Sequence, residues 1–346
     1  MKKLTVRAVS AVLAMVMVLG LLAGCAATAP VETTAATTQP TTAPTTEPAT
    51  EPTTQPTTEP TTEPTTEPTE APTEPYDWPD EGPNLYATNA FVYDCKTQEY
   101  RWTYGDMSDR INPASITKLM CALVAIKYLP WDMEITVGEE IYMMVPKASA
   151  AGLMEGDVLT VEMVVRALLI PSGCEAAYVL AKNAGRVIAG NPEMSDREAV
   201  NLFVEQMNIE AEEMGLVDSY FCTPEGAYNE NHYVSIADFV TIGQAIMEVP
   251  QIMEIVGQYR SVVELKNRES IQVINTNPHL DVDSGFYIPT CVGMKTGSHM
   301  YNCCLLSLFW VEDRYVMIGT FGSYDYDPRS IDVCNIYEMY GEFPEE

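Results

Sequence analysis

Hydrophobic and polar positions divide this chain into three stretches. Ala8 to Leu22 is a predominantly apolar run, whereas Ala26 to about Pro75 consists mainly of threonine, proline and glutamate. From Tyr76 onward, apolar residues recur with the periods of helices and strands. A stretch with almost nothing to bury cannot offset the entropy lost on ordering. We therefore place the folded part at residues 76–346, about the size of one large domain or two interleaved ones.

The periodicities within 76–346 predict strands near both ends and helices between them. Strands are predicted at 90–94, 100–104, 261–265, 272–275, 292–295, 305–311 and 315–321. Helices are predicted at 115–128, 161–170, 175–184, 197–214 and 329–340, and one more after Ser235. This order predicts an α/β (α+β) fold: an antiparallel sheet flanked by helices from both ends of the chain, with an inserted helical subdomain.

Capping residues support several of these helices. Thr160 has the position of an N-cap before the helix that begins at Val161. Ser235 and Asp238 have the spacing of a capping box. We therefore interpret Asp238 and the nearby His232 as structural rather than catalytic.

The first 24 residues have the layout of an export signal. Lys2, Lys3 and Arg7 precede an apolar run that is too short to favour a permanent membrane span. The run ends in Leu-Ala-Gly-Cys25, which resembles the lipobox of bacterial lipoproteins. The resemblance implies cleavage before Cys25 and a lipid on its sulfur, which would anchor the protein to the membrane. The alternative is an ordinary signal peptide with an incidental cysteine.

Residues 25–75 are predicted to form a disordered tether. Thr-Thr-Glu-Pro units repeat between Thr57 and Pro68, and prolines and repelling glutamates favour an extended chain. At ~3.1 Å per residue such a segment reaches roughly 150 Å at full stretch. The expected location is the outer face of the bacterial cell membrane, with the folded domain reaching into the cell wall.

Charge and metal-ligand residues exclude several classes of function. The formal net charge of −30 argues against nucleic acid as a partner. The three histidines are scattered and no Cys-x-x-Cys pair occurs, so we expect no metal site.

The cysteines other than Cys25 leave two possibilities. An even number in an exported chain permits disulfides, but several lie in apolar periodic segments where a free thiol acts as a small hydrophobic side chain. We favour mostly free thiols. These cysteines are Cys95, Cys121, Cys174, Cys222, Cys291, Cys303, Cys304 and Cys334.

Ser115 and Lys118 form a Ser-x-x-Lys pair at the start of a predicted helix that follows Pro113. Residues three apart share a helix face, so the hydroxyl and the amine can meet. Serine needs a neighbouring base to act as a nucleophile, and burial or nearby cations can make lysine that base. Taken alone the pair is common, and an exposed helix start is the alternative.

Two later motifs change this interpretation. Ser172-Gly173-Cys174 lies between two predicted helices, and Lys295-Thr296-Gly297 lies on a predicted strand. Ser-x-x-Lys, Ser-x-Asn and Lys-Thr-Gly in this order are the motifs of penicillin-binding proteins and class A β-lactamases. The flanking sequences resemble those of low-molecular-mass D-alanyl-D-alanine carboxypeptidases, and so imply a β-lactamase/DD-peptidase-like fold. The resembling segments are 111–118, 156–162, 168–173, 221–226 and 293–297.

The resemblance implies a serine acyl-enzyme mechanism without a cofactor. Ser115 would attack the penultimate D-alanine of a peptidoglycan stem peptide, and Lys118 would accept its proton. Ser172 would relay a proton to the departing D-alanine. The backbone N–H groups of Ser115 and Ser298 would form the oxyanion hole. β-Lactams would acylate the same serine as covalent inhibitors.

The Lys-Thr-Gly motif would bind the substrate. The resemblance implies that Lys295 holds the substrate carboxylate and favours neutral Lys118 by like-charge repulsion, while Thr296 hydrogen-bonds the same carboxylate. Gly297 completes the motif. Beyond it, His299 stands where the family often has threonine, and it either contacts substrate or caps the strand.

Cys174 departs from the family, which usually has asparagine at this place. A thiol donates and accepts hydrogen bonds only weakly. Losing the amide could cost about 1–3 kcal/mol, or one to two decades of rate. The substitution is either tolerated or alters substrate choice, and we favour the first.

Three functions remain possible on these residues. The leading one is a serine-type D-Ala-D-Ala carboxypeptidase. The second is a wall-binding or regulatory module weakened by Cys174. The third and least favoured is a β-lactamase, because residues 193–201 do not match the loop that would hold the water-activating carboxylate.

Overall fold

The computed structural model describes residues 82–300 and 302–341. The predicted signal peptide, the lipidated Cys25, the tether and the first residues of the predicted domain lie outside the described residues. These predictions stay untested. All described residues belong to one compact unit, Pro72–Glu346.

Twelve strands occur in the described residues. Five form the central sheet and the others form short two- and three-stranded sheets. The strands are β1 Asn89–Asp94, β2 Glu99–Tyr104, β3 Arg110–Ile111, β4 Glu134–Thr136, β5 Val158–Thr160, β6 Ser219–Tyr220, β7 Tyr233–Ser235, β8 Arg260–Val263, β9 Ile271–Ile274, β10 Cys291–His299, β11 Asn302–Val311 and β12 Arg314–Ser323.

Seven α-helices accompany these strands within the described range. They are α1 Thr117–Tyr128, α2 Val161–Leu169, α3 Cys174–Ala189, α4 Asp196–Glu213, α5 Asp238–Met247, α6 Pro250–Val256 and α7 Tyr326–Gly341. In this part of the chain no single helix is long and apolar enough to cross a membrane, although the sharply bent pair α5–α6 meets the length and composition criteria together.

The central sheet joins the two ends of the folded part. Its order is β10-β11-β12-β1-β2, and every neighbouring pair is antiparallel. β1 pairs with β12 from Asn89 opposite Phe321 to Asp94 opposite Val316. The remaining strands, β11 and β10, extend the sheet to an edge, so the strand carrying Lys-Thr-Gly is an edge strand.

Helices cover both faces of the sheet because its central strands are apolar on both sides. Every residue of β1 is buried. Phe91 faces the large core formed with helices such as α1, whereas Val92 faces a smaller core that includes Val333 and Ile336 of α7. The molecule therefore has three layers, with α1 buried between the sheet and the helical part.

The predicted elements were confirmed with corrections at their boundaries. The predicted helix from Ser115 begins instead as a 3-10 turn, Ala114–Ile116, and α1 starts at Thr117. α3 continues beyond the predicted end to Ala189, where Gly190 adopts a left-handed conformation with φ of 60°. α6 was not predicted, because it is only seven residues long.

The predicted Thr160 cap is present, because its hydroxyl accepts from the Met163 N–H at 3.4 Å. The predicted capping box at Ser235 is wrong: the N-cap of α5 is Ala237, and the Ser235 N–H donates to the Asp218 carbonyl, although the Ser235 hydroxyl accepts from the Asp238 N–H at 3.1 Å. The Asp238 carboxylate accepts instead from the Val217 and Asp218 N–H groups. Asp238 therefore has the structural role expected of it.

Asp332 fastens the N-terminal end of the folded part to α7. Its buried carboxylate accepts from the N–H groups of Tyr86 at 2.9 Å and Ala87 at 2.7 Å.

We expect Asp332→Ala to lower the free energy of unfolding by about 2 kcal/mol, because two backbone donors lose their acceptor. Denaturant titration measures this. Asp327→Ala, at an exposed position of the same helix, should change stability by less than about 0.5 kcal/mol, and equal losses in both variants would contradict the assignment.

Candidate active site

Ser115 lies in the middle of the 3-10 turn that leads into α1. The preceding residue, Ala114, has a φ of 47°, which is unusual for a residue with a side chain. The Asn112 side chain holds this conformation by accepting from the Ala114 N–H at 3.0 Å and donating to the His232 carbonyl at 3.1 Å. Since strained backbone persists only where its surroundings hold it, the turn fixes the position of the Ser115 hydroxyl.

Two glycines allow other segments to approach this turn. A Cβ on Gly297 of β10 would lie 2.6 Å from the Pro113 carbonyl oxygen. A Cβ on Gly226, whose φ is +88°, would collide with the Ala114 carbonyl. The turn that carries Ser115 is therefore contacted directly by the Lys-Thr-Gly strand and by residues 225–227. The absence of a side chain at Gly297 and at Gly226 makes these contacts possible.

Lys118 is buried and its amine has three fixed partners. Its Nζ lies 2.8 Å from Ser115 Oγ, 2.8 Å from the Glu225 carbonyl oxygen and 3.3 Å from Cys174 Sγ. A neutral amine has two N–H donors and one lone pair. With the carbonyl and the sulfur as acceptors for the two donors, the lone pair is free to accept the Ser115 proton.

Ser172 is a loop residue before α3, and its backbone conformation is strained. Its φ is 64°, it is buried, and its Oγ has no hydrogen-bond partner among the described residues. Ser149 holds the loop: its hydroxyl donates to the Ser172 carbonyl at 2.7 Å, and its carbonyl accepts from the Cys174 N–H at 2.8 Å. An unpartnered hydroxyl at a strained position is available to a substrate or to a transferred proton.

Cys174 takes the place in the site that its motif position predicts. It is the first residue of α3, is 5% exposed, and contacts the amine of Lys118 through its sulfur. Burial raises the pKa of the thiol, the nearby Lys118 lowers it, and the Glu225 carboxylate raises it further. The net shift is upward, so the group favours the thiol form and is not an activated nucleophile.

Lys295 supplies a second buried amine at the site. Burial holds its pKa well below the usual value, and the charges of Lys118 and Arg329 lower it further. Its Nζ donates to the Thr296 carbonyl at 3.0 Å. Lys295 and Arg329 thus supply positive charge near Ser115 and Lys118, which attracts an anion.

Thr296 and Ser298 lie next to this amine on β10. Thr296 Oγ1 is 2.6 Å from Thr276 Oγ1. Ser298 is exposed, and its hydroxyl accepts from Arg329 Nη1 at 3.2 Å. The hydroxyls and the cation of Arg329 stand along the edge strand, where they can bind a carboxylate.

His299 ends β10 and stacks on Tyr228, with ring centroids 4.6 Å apart. The pair stands beyond Ser298 on the same strand, so both expected roles for His299 remain possible. His232 is instead buried: it contacts Thr117 Oγ1 at 3.0 Å, and burial lowers its pKa to about 4. This fits the structural role predicted for it.

The structure therefore brings together residues from all three motifs. Sequence reasoning missed Arg329, Thr276, Ser149 and the role of Glu225, because none of them belongs to a short motif; the only signal was the position of Glu225 inside the 221–226 segment.

The predicted lipidation site, Cys25, lies outside the described residues. The eight other cysteines are free thiols.

These groups can perform acyl transfer from a substrate that ends in a carboxylate. A serine hydroxyl shares a hydrogen bond with a buried amine, and cations lie at one side of it. In the described part of the chain no three histidine, cysteine or acidic side chains are grouped as metal ligands. The class of site is that of a serine–lysine acyl-transfer enzyme.

The chain belongs to the Peptidase S11 family, D-alanyl-D-alanine carboxypeptidase, whose model matches residues 79–304. The D-alanyl-D-alanine carboxypeptidase of Streptomyces sp. strain K15 is 29% identical over 232 residues, which are 62% of this chain and 73% of that protein. DacF, a D-alanyl-D-alanine carboxypeptidase of Bacillus subtilis, is 28% identical over 194 residues, 55% of this chain. The match spans only 45% of the length of DacF.

Solved structures show the same fold. The Streptomyces K15 DD-transpeptidase superposes with a TM-score of 0.66 at 24% identity, covering 75% of this chain and 98% of that one. Penicillin-binding protein 5 from Haemophilus influenzae matches with a TM-score of 0.63 at 23% identity, covering 75% of this chain and 71% of that one. The predicted DD-peptidase-like fold is confirmed. Variants of the K15 enzyme with a cysteine replaced by alanine or asparagine also match.

The buried Lys295 predicts a pH-dependent stability difference. Lys295→Met should raise the free energy of unfolding at pH 7, because a buried amine is removed. The gain should shrink as pH rises towards 10.5, the ordinary lysine value, by up to about 1.4 kcal/mol per pH unit. The sign follows because the pKa of Lys295 is lower in the folded protein than in the unfolded chain. Between these two pKa values only the unfolded chain holds the proton, so the free energy of unfolding of the wild type rises with pH.

Denaturant titrations at several pH values between 7 and 10 measure this difference. Lys96→Met, at a lysine whose side chain is 60% exposed, is the matched control and should not show the dependence on pH that burial gives Lys295→Met. A gain for Lys295→Met that stayed constant up to pH 10 would show that the pKa of Lys295 is not lowered in the folded protein.

Proposed function

We propose that this protein is a serine-type D-Ala-D-Ala carboxypeptidase that removes the terminal D-alanine from peptidoglycan stem peptides. The observation that carries the proposal is the 2.8 Å contact between Lys118 Nζ and Ser115 Oγ, in a member of this peptidase family. The Glu225 carbonyl and the Cys174 sulfur accept the two N–H groups of a neutral Lys118, so the lysine lone pair is left for the serine proton. The functions named for its relatives are consistent with this activity.

Acylation begins with the transfer of the Ser115 proton to Lys118. The serine oxygen bonds to the carbonyl carbon of the penultimate D-alanine, and the oxyanion is held by the N–H groups of Ser115 and Ser298. The bond to the terminal D-alanine then breaks, and the proton reaches its nitrogen from Lys118 by way of Ser172. Water hydrolyses the resulting ester, with Lys118 as the base, and restores the Ser115 hydroxyl.

Substrate specificity is assigned to the cations along β10. Lys295 and Arg329 attract the terminal carboxylate, and Thr296 hydrogen-bonds it. A dry, preorganised set of donors stabilises an anion more strongly than water-exposed charges do. A β-lactam carries a carboxylate and a strained amide, so it fits the same groups and acylates Ser115.

Cys174 supports a second candidate function, a wall-binding or regulatory module with little turnover. Its sulfur keeps the contact with Lys118 at 3.3 Å but is a weak donor and acceptor. The contact favours the enzyme over the module, because the lysine retains an acceptor on that side.

We also propose that the protein is a lipoprotein held at the outer face of the bacterial membrane. The support is the sequence before and after Cys25, with its apolar run and the threonine-rich and proline-rich tether. Peptidoglycan lies outside the membrane, so an anchored domain on an extended tether would reach its substrate.

Ser115→Ala should abolish both D-alanine release and labelling by a fluorescent penicillin, because the nucleophile is lost. Release is measured on diacetyl-Lys-D-Ala-D-Ala, and labelling by gel fluorescence. Ser108→Ala, at an exposed turn serine, is the control and should keep both activities. Residual release by Ser115→Ala would exclude the mechanism, and rapid release of opened penicillin by the wild type would identify a β-lactamase.

Cys174→Asn should raise kcat/KM for the same peptide roughly tenfold, since an amide hydrogen-bonds more strongly than a thiol, by about 1–2 kcal/mol. Cys95→Ser, at a cysteine that contacts none of the site residues described above, is the matched control and should leave kcat/KM unchanged. Release that appears only in Cys174→Asn would favour the binding module as the natural function. A loss of activity would show that the site is built around the thiol.

A further inference from the structure

Glu225 is a buried acidic residue whose backbone carbonyl contacts the amine of Lys118, and the mechanism above uses only that carbonyl. The residue is 2% exposed. Its carbonyl accepts from Lys118 Nζ at 2.8 Å, and its Oε1 accepts from the Tyr178 hydroxyl at 3.1 Å. Its Oε2 has no hydrogen-bond partner among the described residues. A buried carboxylate with one oxygen unpartnered is costly, and such groups concentrate at functional sites.

The carboxylate acts on the group that contacts the lysine. Its charge contributes to the raised pKa of the Cys174 thiol, after burial and against the effect of Lys118. Burial and the same carboxylate also raise the pKa of Tyr178. Glu225, Cys174 and Tyr178 therefore form one buried polar cluster, which contacts Lys118 through the Cys174 sulfur and the Glu225 carbonyl.

The charges around Lys118 are otherwise positive. Lys295 on β10 lies close enough for the charges of Lys118 and of Arg329 on α7 to lower its pKa. An ammonium forming on Lys118 is therefore opposed by two cations and favoured by one carboxylate. The titratable or charged side chains that face it are Cys121 on α1, Cys174 and Tyr178 on α3, Glu225 between β6 and β7, Lys295 on β10 and, behind it, Arg329 on α7.

We propose that Glu225 is a positioning residue for acylation, whose buried carboxylate stabilises the ammonium that Lys118 forms when it accepts the Ser115 proton. This rests on the proposed function. The Ser115 O–H bond breaks, its proton bonds to Lys118 Nζ and the serine oxygen bonds to the substrate carbonyl. Glu225 exchanges no proton in this step. Its negative charge lowers the energy of the charge that develops on the lysine.

Removal of this charge has two measurable effects. A carboxylate favours the protonated lysine, so without it Lys118 loses its proton at lower pH. The acid limb of acylation should move down by about one pH unit in Glu225→Gln. The plateau rate should fall by about tenfold, because the lysine becomes a weaker base. Glu225→Asp, which keeps the charge, should keep the limb of the wild type.

The experiment compares the full chain with Glu225→Gln, Glu225→Asp and Glu225→Leu. Glu225→Leu removes the charge without burying an amide, and it replaces Glu225→Gln if that variant does not fold. Acylation by a fluorescent penicillin is timed from pH 5 to 10. The Lys118 amine is titrated separately by NMR of 15N-lysine-labelled protein and assigned with Lys118→Arg. Glu140→Gln, at a buried carboxylate paired with Lys182 at 2.8 Å, is the matched control and should leave both profiles unchanged.

The results separate this inference from the proposed function. A wild type that is never acylated, with a Lys118 titration that moves in the neutral variants, would overturn the carboxypeptidase and with it the role in acylation, and would support only the effect of the Glu225 charge on Lys118. An acylated wild type with unchanged limb and titration in the neutral variants would overturn the role of Glu225 alone. A lower plateau without a shifted limb would also overturn it, because a merely structural residue has that effect.

Discussion

The arrangement of this site depends on the three polar groups that contact one buried amine. Lys118 has no exposed surface, and its Nζ is held by Ser115, Cys174 and the Glu225 carbonyl. A buried amine is tolerated only where its donors are satisfied. Each of these groups comes from a different segment of the chain. The fold must therefore bring the turn before α1, the start of α3 and the loop between β6 and β7 to a single point.

The scaffold achieves this through close backbone contacts rather than through long side chains. Gly297 lets β10 reach the turn that carries Ser115, and Gly226 does the same for the loop before β7. The central sheet fixes β10 by pairing it with β11, while β1 from the other end of the fold pairs with β12. Since the β1–β12 pairing joins residues more than 200 positions apart, the sheet that carries β10 forms only when both ends of the domain have come together.

Charge in the site is balanced over a short distance. Lys295 and, behind it, Arg329 supply positive charge near Lys118, and like charges disfavour a further ammonium there. The Glu225 carboxylate, Cys174 and Tyr178 form a second group near Lys118, on α3 and the loop before β7. The Lys118 amine therefore lies between positive groups on β10 and α7 and a cluster that contains one buried carboxylate.

The sequence by itself determined the fold class, most of the long elements and the motif residues, because apolar periodicity and short motifs are local properties. Ser115 and Lys118 are three residues apart, so one turn of helix was enough to place them together. It did not reveal Arg329, Thr276 or the carboxylate of Glu225, which share no local pattern with the motifs. Only the tertiary structure decided these, because their proximity, burial and mutual charge effects arise from contacts between distant segments.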